Sequence, residues 1–349
     1  MRLNIPSPSG TFTKPCKDFP YKNARKKGWK SLDKSAPILY SQCMKKFIIV
    51  FLLFWLAACA PAPTIQPAVV VDLTNLQPLP TPALRETPLR VAVAAVISPK
   101  GTVESYAGLL QYLGAKTGRP IELVQRRTYM EINDLIENGE VDLAFVCTSA
   151  YIVGSGDFGM ELLVAPQVQG ETVYRSYLIV PIDSPAHDMA DLRGKVFAFT
   201  DPISLTGRAY PTSLVQQLGT NPEDFFSRVF FTYSHDEAIY AVANGLADGA
   251  GVDSLIYYYA VDRDPSLVER LKIIHQSPPF GIPPVVVNPS LRPQTKAEFQ
   301  AILLEMATDP AGQDALAAIG VDKFVSIEDS TYEPVRSLMQ DFSSPPGLP

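Results

Sequence analysis

From Leu89 onward the chain alternates short apolar runs with stretches in which apolar residues recur every three or four positions. "LRVAVAAVI" (Leu89–Ile97) is apolar at nearly every position, the pattern of a strand buried on both faces. Tyr106, Leu109, Leu110 and Leu113 follow at helical spacing and predict an amphipathic helix ending near Gly118. "IELVQ" predicts a strand, "MEINDLIENG" a short helix and "VDLAFV" another strand. That βαβαβ order predicts a parallel sheet covered by helices. "GSGDFG" (Gly154–Gly159) reads as a loop, and "ELLVAP" and "YRSYLIVP" after it read as strands. A nucleotide-binding glycine loop should open a helix after a strand, and this one precedes a strand.

A second series begins at "KVFAFT" (Lys195–Thr200). A turn at Ser204–Gly207 leads into a predicted helix ending near Gly219, and "VFFTY" is a strand. His235–Ala247 reads as a helix with Ala238, Ile239, Val242, Ala243 and Leu246 on one face. "GAGVDS", "LKIIHQS" and "PPVVVN" read as strands, and Phe299, Ile302, Leu303 and Met306 return to helical spacing. Two α/β units therefore follow each other, and the chain is expected to rejoin the first near Pro283–Val287. At 349 residues the chain exceeds what one core usually serves, which agrees with two lobes.

The amino-terminal part has a different character. "MKKFIIVFLLFWLAAC" starts at Met44 with two lysines, then an apolar run, small residues and Cys59. This is the layout of a secretory signal, and the run is shorter than the ~20 residues of a comfortable membrane span. "LAAC" (Leu56–Cys59) resembles the lipobox of bacterial lipoproteins, in which the cysteine becomes the lipid-bearing first residue. "APAPTIQPAVVVDLTNLQPLPTPALRETP" then predicts an extended, proline-stiffened spacer. The expected layout is an upstream extension over 1–43, a signal over 44–58 and a lipidated tether over 59–87.

Charge narrows the partners. Residues 1–58 carry two arginines and nine lysines against Asp18 and Asp33, a net of about +9. Taking that from the whole-chain −6 leaves about −15 on the remainder. Such a body does not suit nucleic acid. An anionic ligand would have to be held by local hydrogen bonds, against the overall field. Of four cysteines only Cys147 lies in the α/β body, where it reads as a small buried hydrophobe. His187, His235 and His275 lack metal-ligand spacing, and no phosphate-loop or hydrolase motif occurs, so no cofactor and no metal are expected.

The candidate chemistry centres on "DPISLTGRAYP" (Asp201–Pro211). A helix start carries unpartnered N–H groups and partial positive charge, which suit a phosphate-like anion. Ser204 and Thr206 offer hydroxyl protons, Leu205 its backbone, and Gly207 allows an oxyanion close to the main chain. The same residues serve equally well as an ordinary helix cap.

This stretch resembles the Asp-Pro-x-Ser-x-Ser/Thr-Gly-x-x-x-Pro signature of the phosphate/phosphite/phosphonate-binding proteins of ABC importers. "YLGAKTGRPIEL", "GEVDLAFVCTSAY", "DLRGKVFAF" and "SHDEAIYAVANGLADGAGVDS" resemble other landmarks of that family, in the same order, over about Leu89–Val325. The resemblance implies an α/β periplasmic binding protein of the type II-like, two-lobed kind, with mostly parallel sheets flanked by helices and the ligand in the cleft. Lobe 1 would be 88–178 plus 285–349 and lobe 2 would be 179–284, with crossings near 178–181 and 283–287.

It further implies a ligand set of Tyr129, Tyr174, Ser204, Leu205, Thr206, Gly207 and His235. Acidic residues that hold an amine in some relatives fall here at Leu255 and Pro283. Asp253 stands two positions away, out of register, and is kept as a ligand candidate. The implied partners are a small oxyanion and an ABC permease, with the membrane reached through lipid on Cys59 and the protein expected to be a monomer. Rival readings are a sensory module for a receptor kinase, a binder of a sulfonate or vitamin precursor and, last, a hydrolase using Ser204, His235 and Asp253.

Overall fold

A computed structural model describes residues 87–343. The basic extension, the signal-like run, Cys59 and the proline-rich spacer lie outside the described residues.

Two sheets carry the fold. The first has the order β13-β4-β12-β3-β1-β2. Its strands are β1 (Leu89–Val93), β2 (Ile121–Val124), β3 (Leu143–Phe145), β4 (Glu161–Gln167), β12 (Val285–Val287) and β13 (Lys323–Val325). The second has the order β10-β6-β9-β7-β8, made by β6 (Ser176–Pro181), β7 (Val196–Phe199), β8 (Arg228–Phe231), β9 (Gly249–Asp253) and β10 (Leu271–Gln276). Helices α1 (Pro99–Thr117), α2 (Tyr129–Glu137), α3 (Thr148–Asp157), α7 (Pro293–Glu305), α8 (Pro310–Ala318) and α9 (Glu333–Ser343) accompany the first sheet in sequence. The second alternates with α4 (Tyr210–Gln217), α5 (His235–Ala243) and α6 (Ser254–Arg263).

The apolar runs reflect burial on both faces of each sheet. Leu89, Val91 and Val93 join Leu109, Leu113, Phe299 and Leu303 in one cluster. Ala92 and Ala94 join Ile132, Ile136 and Ala150 in another. In the second sheet Ile179, Ala198 and Val252 pack with Ile239 and Val242, while Val180, Phe197 and Phe199 pack with Val215 and Phe226. Strand alternation therefore sends successive residues into two different cores.

The structure departs from the sequence expectation in four places. Both sheets are mixed: β12, β13, β6 and β10 contribute the antiparallel pairings, since they carry the chain between sheets or back along one. The first crossing comes earlier than residues 178–181, because Ser176–Ile179 already pair with β9. Val285–Val287 belong to the first sheet, where the expected lobe 1 from residue 285 onward has them. The two crossings meet instead in a separate ribbon, where β5 (Val173–Tyr174) pairs antiparallel with β11 (Phe280–Gly281).

The third departure is at "GSGDFG", whose first four residues lie in α3. Gly154 is there for packing, since a Cβ would stand 2.3 Å from Met160 Cε. Its small, polar residues hide the helical period. Finally α5 stops at Ala243 rather than Ala247, because Gly245 takes a left-handed φ of 73°.

Candidate functional site

The stretch after β7 begins with Ser204 in an extended conformation, its Oγ accepting the Gly207 N–H at 3.1 Å. Pro211 has no N–H to return to the Gly207 carbonyl, which instead accepts from Thr200 N–H at 3.2 Å. Residues Leu205–Ala209 consequently wind as a π-helical turn, with Ala209 N–H reaching the Ser204 carbonyl at 2.8 Å, before α4 continues normally. Ser176 Oγ donates to the Thr206 carbonyl at 2.7 Å and fixes the turn from β6.

The role of Gly207 differs from the sequence expectation. Its N–H is taken by Ser204, and a Cβ there would lie 1.8 Å from Thr200 Oγ1. Glycine is required by packing and offers no open main chain to an oxyanion. Ser204 is therefore a cap, but its own proton stays available, and it lies beside the Tyr129 hydroxyl.

Tyr129 opens α2, which Thr128 and Glu131 start with a reciprocal capping box. Its N–H donates to Asp201 Oδ2 at 3.0 Å. Its ring is fully buried and its hydroxyl has no hydrogen-bond partner. Tyr174 in the β5–β11 ribbon and Thr206 in the turn share that condition, each with a buried, unpartnered hydroxyl. Burial raises the ionisation of both tyrosines well above the ordinary range, so both stay protonated donors.

His235 opens α5 and donates its N–H to the Val96 carbonyl at 2.9 Å. Its Nδ1 accepts from Asp253 N–H at 3.0 Å. Burial lowers its pKa to about 3, so the ring is neutral and Nε2 carries the proton. Asp253 ends β9 and caps α6, with Oδ1 accepting from Leu255 N–H at 2.7 Å and Ile256 N–H at 3.4 Å. Burial pushes its carboxyl up to about 7. A Ser204–His235–Asp253 relay is not formed: the imidazole meets the backbone of Asp253, and the carboxylate holds a helix start.

Cys147 is a buried member of the core cluster around Ile132 and Ala150, as the sequence reading has it. It precedes α3, its Sγ 3.5 Å from Ser149 Oγ, and burial pushes its thiol up. Thr148 Oγ1 donates to the Gly281 carbonyl at 2.8 Å, and Ser149 Oγ to the Ile203 carbonyl. Sequence reasoning missed this second helix start. Its signal was "FVCTSAY", a strand followed by small hydroxyl residues, as in the other unit. Arg208 is turned away, with its guanidinium 4.3 Å from the Phe199 ring centroid and 3.6 Å from Glu223.

A cavity of about 880 Å³ adjoins this group, with Tyr174, Asp253, Leu255 and Pro283 in its wall. Leu255 and Pro283, which match the family's acidic positions, thus face the cavity without charge. The turn residues are fully buried and are not part of that wall. The two sheets' elements also touch around the site: Ser98 N–H donates to Asp236 Oδ1 at 2.8 Å, and the Ser105 and Tyr259 hydroxyls lie 2.7 Å apart.

Two α/β units enclosing neutral donors at helix starts define a two-lobed solute-binding protein. The match to a family model over residues 91–332 specifies the kind: the chain belongs to the periplasmic substrate-binding proteins of phosphonate ABC transporters. It is 28% identical over 215 residues to the phosphate-import protein PhnD of Mycolicibacterium smegmatis, covering 58% of this chain and 67% of that one. A binding component of an ABC phosphonate transporter from Pseudomonas aeruginosa superposes with a TM-score of 0.71 at 20% identity, over 76% of this chain and 91% of that one. PhnD1 of Prochlorococcus marinus, solved with methylphosphonate, gives 0.66 at 14% identity, over 73% and 98%.

Proposed function

We propose that this protein captures a small phosphorus oxyanion with a short or absent organic substituent, such as phosphite, phosphate or methylphosphonate, and presents it to a membrane permease. The observation that carries the reading is that three of the six buried, unpartnered hydroxyls among the described residues belong to Tyr129, Tyr174 and Thr206 of the expected ligand set. An unsatisfied buried hydroxyl costs about 1–3 kcal/mol, and an oxyanion accepts from all three at once. The neutral Nε2–H of His235 and the proton of Ser204 complete a donor set without a formal cation. Leu255 and Pro283 supply no carboxylate for an amine, which argues against aminoethylphosphonate. The action is reversible binding, with no bond made or broken.

The test is thermal melting with phosphite, phosphate, methylphosphonate, aminoethylphosphonate, sulfate and taurine. At a hundredfold excess over its dissociation constant a ligand stabilises by roughly 2.7 kcal/mol. That corresponds to a shift of roughly 5–10 °C for a body of this size. The three simple phosphorus acids are expected to give the largest shifts. A response confined to taurine or sulfate overturns the ligand class, and a dominant response to aminoethylphosphonate overturns the argument from Leu255 and Pro283.

The same proposal has Cys59 as the lipid-bearing first residue, supported by "LAAC" and the proline-rich spacer after it. Cys59→Ala is expected to abolish incorporation of a labelled fatty acid in cells. Equal labelling of variant and wild type removes the anchor.

A further inference from the structure

We propose that Arg127 and Tyr233 form a clamp between the two α/β units beside the donors, and that this side-chain contact sets how long a bound oxyanion is retained. The proposal rests on the solute-binding reading and adds to it a determinant of release outside the donor set.

The two residues come from loops that lead directly into the site. Arg127 follows β2 of the first sheet and stands two positions before Tyr129, the first residue of α2. Tyr233 follows β8 of the second sheet and stands two positions before His235, the first residue of α5. Tyr129 and His235 are buried, whereas Arg127 is exposed and Tyr233 half-buried. The pair therefore lies on the solvent side of the donors. There the guanidinium carbon of Arg127 stands over the Tyr233 ring, 3.8 Å from its centroid.

Two observations set this contact apart from a chance approach of surface side chains. The first is backbone strain. Tyr233 has a φ of 63°, in the left-handed region that suits glycine or asparagine and is costly for a bulky residue. It is held there by its N–H, which donates to the Thr200 carbonyl at 2.8 Å. Thr232 Oγ1 braces the same loop by donating to the Ser234 carbonyl at 2.8 Å. Phe231 steadies the ring, at 6.1 Å between centroids. A glycine would make this turn without strain, so the aromatic ring needs a reason to be present, and Arg127 supplies one.

The second observation is that Arg127 is committed to nothing else. Among the described residues it forms no ion pair. The nearest acid along the chain, Glu131, is taken up by the Thr128 N–H and hydroxyl at 2.8 and 2.9 Å. Arg126 beside it gives Nη1 to the Gln125 carbonyl at 2.9 Å.

A guanidinium flat on a tyrosine face is attracted by the ring's electron density and tolerates partial exposure. Arg127 belongs to the first unit and Tyr233 to the second, so their contact exists only while the units are together. Parting them to release the ligand breaks it, whereas the ligand enters before it forms. The clamp therefore acts on release and leaves the encounter rate to charge.

The test is stopped-flow tyrosine fluorescence of the purified protein with methylphosphonate and with phosphate, at low and high salt, beside thermal melting without ligand. Arg127→Gln is expected to speed release about three- to tenfold, the worth of a partly exposed cation–π contact. Arg127→Lys keeps the charge and loses the flat stack. It is expected to keep the wild-type association rate while release stays faster than wild type. Tyr233→Asn sits readily in the left-handed region. It is expected to release as fast as Arg127→Gln, with a melting temperature no lower than that of the wild type. The double variant Arg127→Gln/Tyr233→Asn is expected to release no faster than the faster single variant, because both changes remove one contact.

Wild-type release in either single variant overturns the proposal. So does a double variant whose effect is the product of the two singles, since the side chains would then act apart. Slower association confined to low salt, with unchanged release, reduces Arg127 to a steering charge and overturns it too. Should Tyr233→Asn not fold, the two variants of the exposed Arg127 decide alone. Failure of every phosphorus oxyanion to bind brings down the ligand reading and the clamp together, an outcome distinct from binding with wild-type release.

Discussion

Tyr129→Phe combined with Thr206→Val is expected to cost roughly a hundredfold to ten-thousandfold in oxyanion affinity while leaving the unliganded protein as stable as before, or more so. Each exchange removes one hydroxyl and nearly preserves volume. In the complex each hydroxyl donates to a charged group, worth about 1.5–3 kcal/mol, and every 1.4 kcal/mol is a factor of ten. Without ligand the same hydroxyls are buried and unpartnered, so their removal relieves a cost. Binding and stability should move in opposite directions, the usual sign of groups kept for function. Calorimetry and thermal melting of the double variant check both halves. A marked fall in melting temperature with unchanged affinity would assign these side chains to the core.

Gly207→Ala is expected to damage both properties. The added Cβ would lie 1.8 Å from Thr200 Oγ1 and 2.7 Å from Thr200 Cβ. Thr200 cannot retreat easily: it is fully buried, β-branched and tied by its N–H to the Gly207 carbonyl. Overpacking of this kind costs about 1–3 kcal/mol and occasionally more, and this contact belongs at the upper end. A melting temperature lower by about 6–12 °C is expected, at 2–4 °C per kcal/mol for a body of this size. Binding should weaken as well, because Ser204 and Thr206 ride on the displaced turn. Thr200→Gly in the same chain should restore part of the stability. A variant that melts like the wild type would show that the turn yields more readily than its packing indicates.

Much of this organisation was legible in the sequence, for physical reasons that differ by element. β1 could be read because both its faces are buried, leaving a nearly unbroken apolar run. α1 could be read because one face is core and the other is wet, which imposes the helical period. α3 and α6 could not. In α3 small and polar residues pack closely beside the site, and in α6 three consecutive tyrosines give no helical period. Ser204 and Thr206 were visible because a helix start followed by an early proline constrains residue type. The part played by Gly207 was invisible, since its reason is Thr200, a neighbour across the turn. The duties of Asp253 likewise depend on contacts that no local pattern encodes: its N–H fixes the His235 tautomer while its side chain caps α6.

The hydrogen bonds across the cleft carry a consequence for occupancy. Asp201 accepts from Tyr129 N–H, Asp236 accepts from Ser98 N–H, and His235 N–H reaches the Val96 carbonyl. All three join an element of one sheet to an element of the other, and none requires a ligand. If the two units part to admit ligand, the arrangement described here draws part of its free energy from the polypeptide itself, so empty molecules would also populate it. Apparent affinity scales with the fraction already competent to bind, so stronger bonds of this kind tighten capture. They also slow reopening, and they let empty molecules imitate loaded ones before any partner that senses shape alone. The strength of three backbone-donated hydrogen bonds thereby sets a compromise between scavenging at low concentration and rapid turnover.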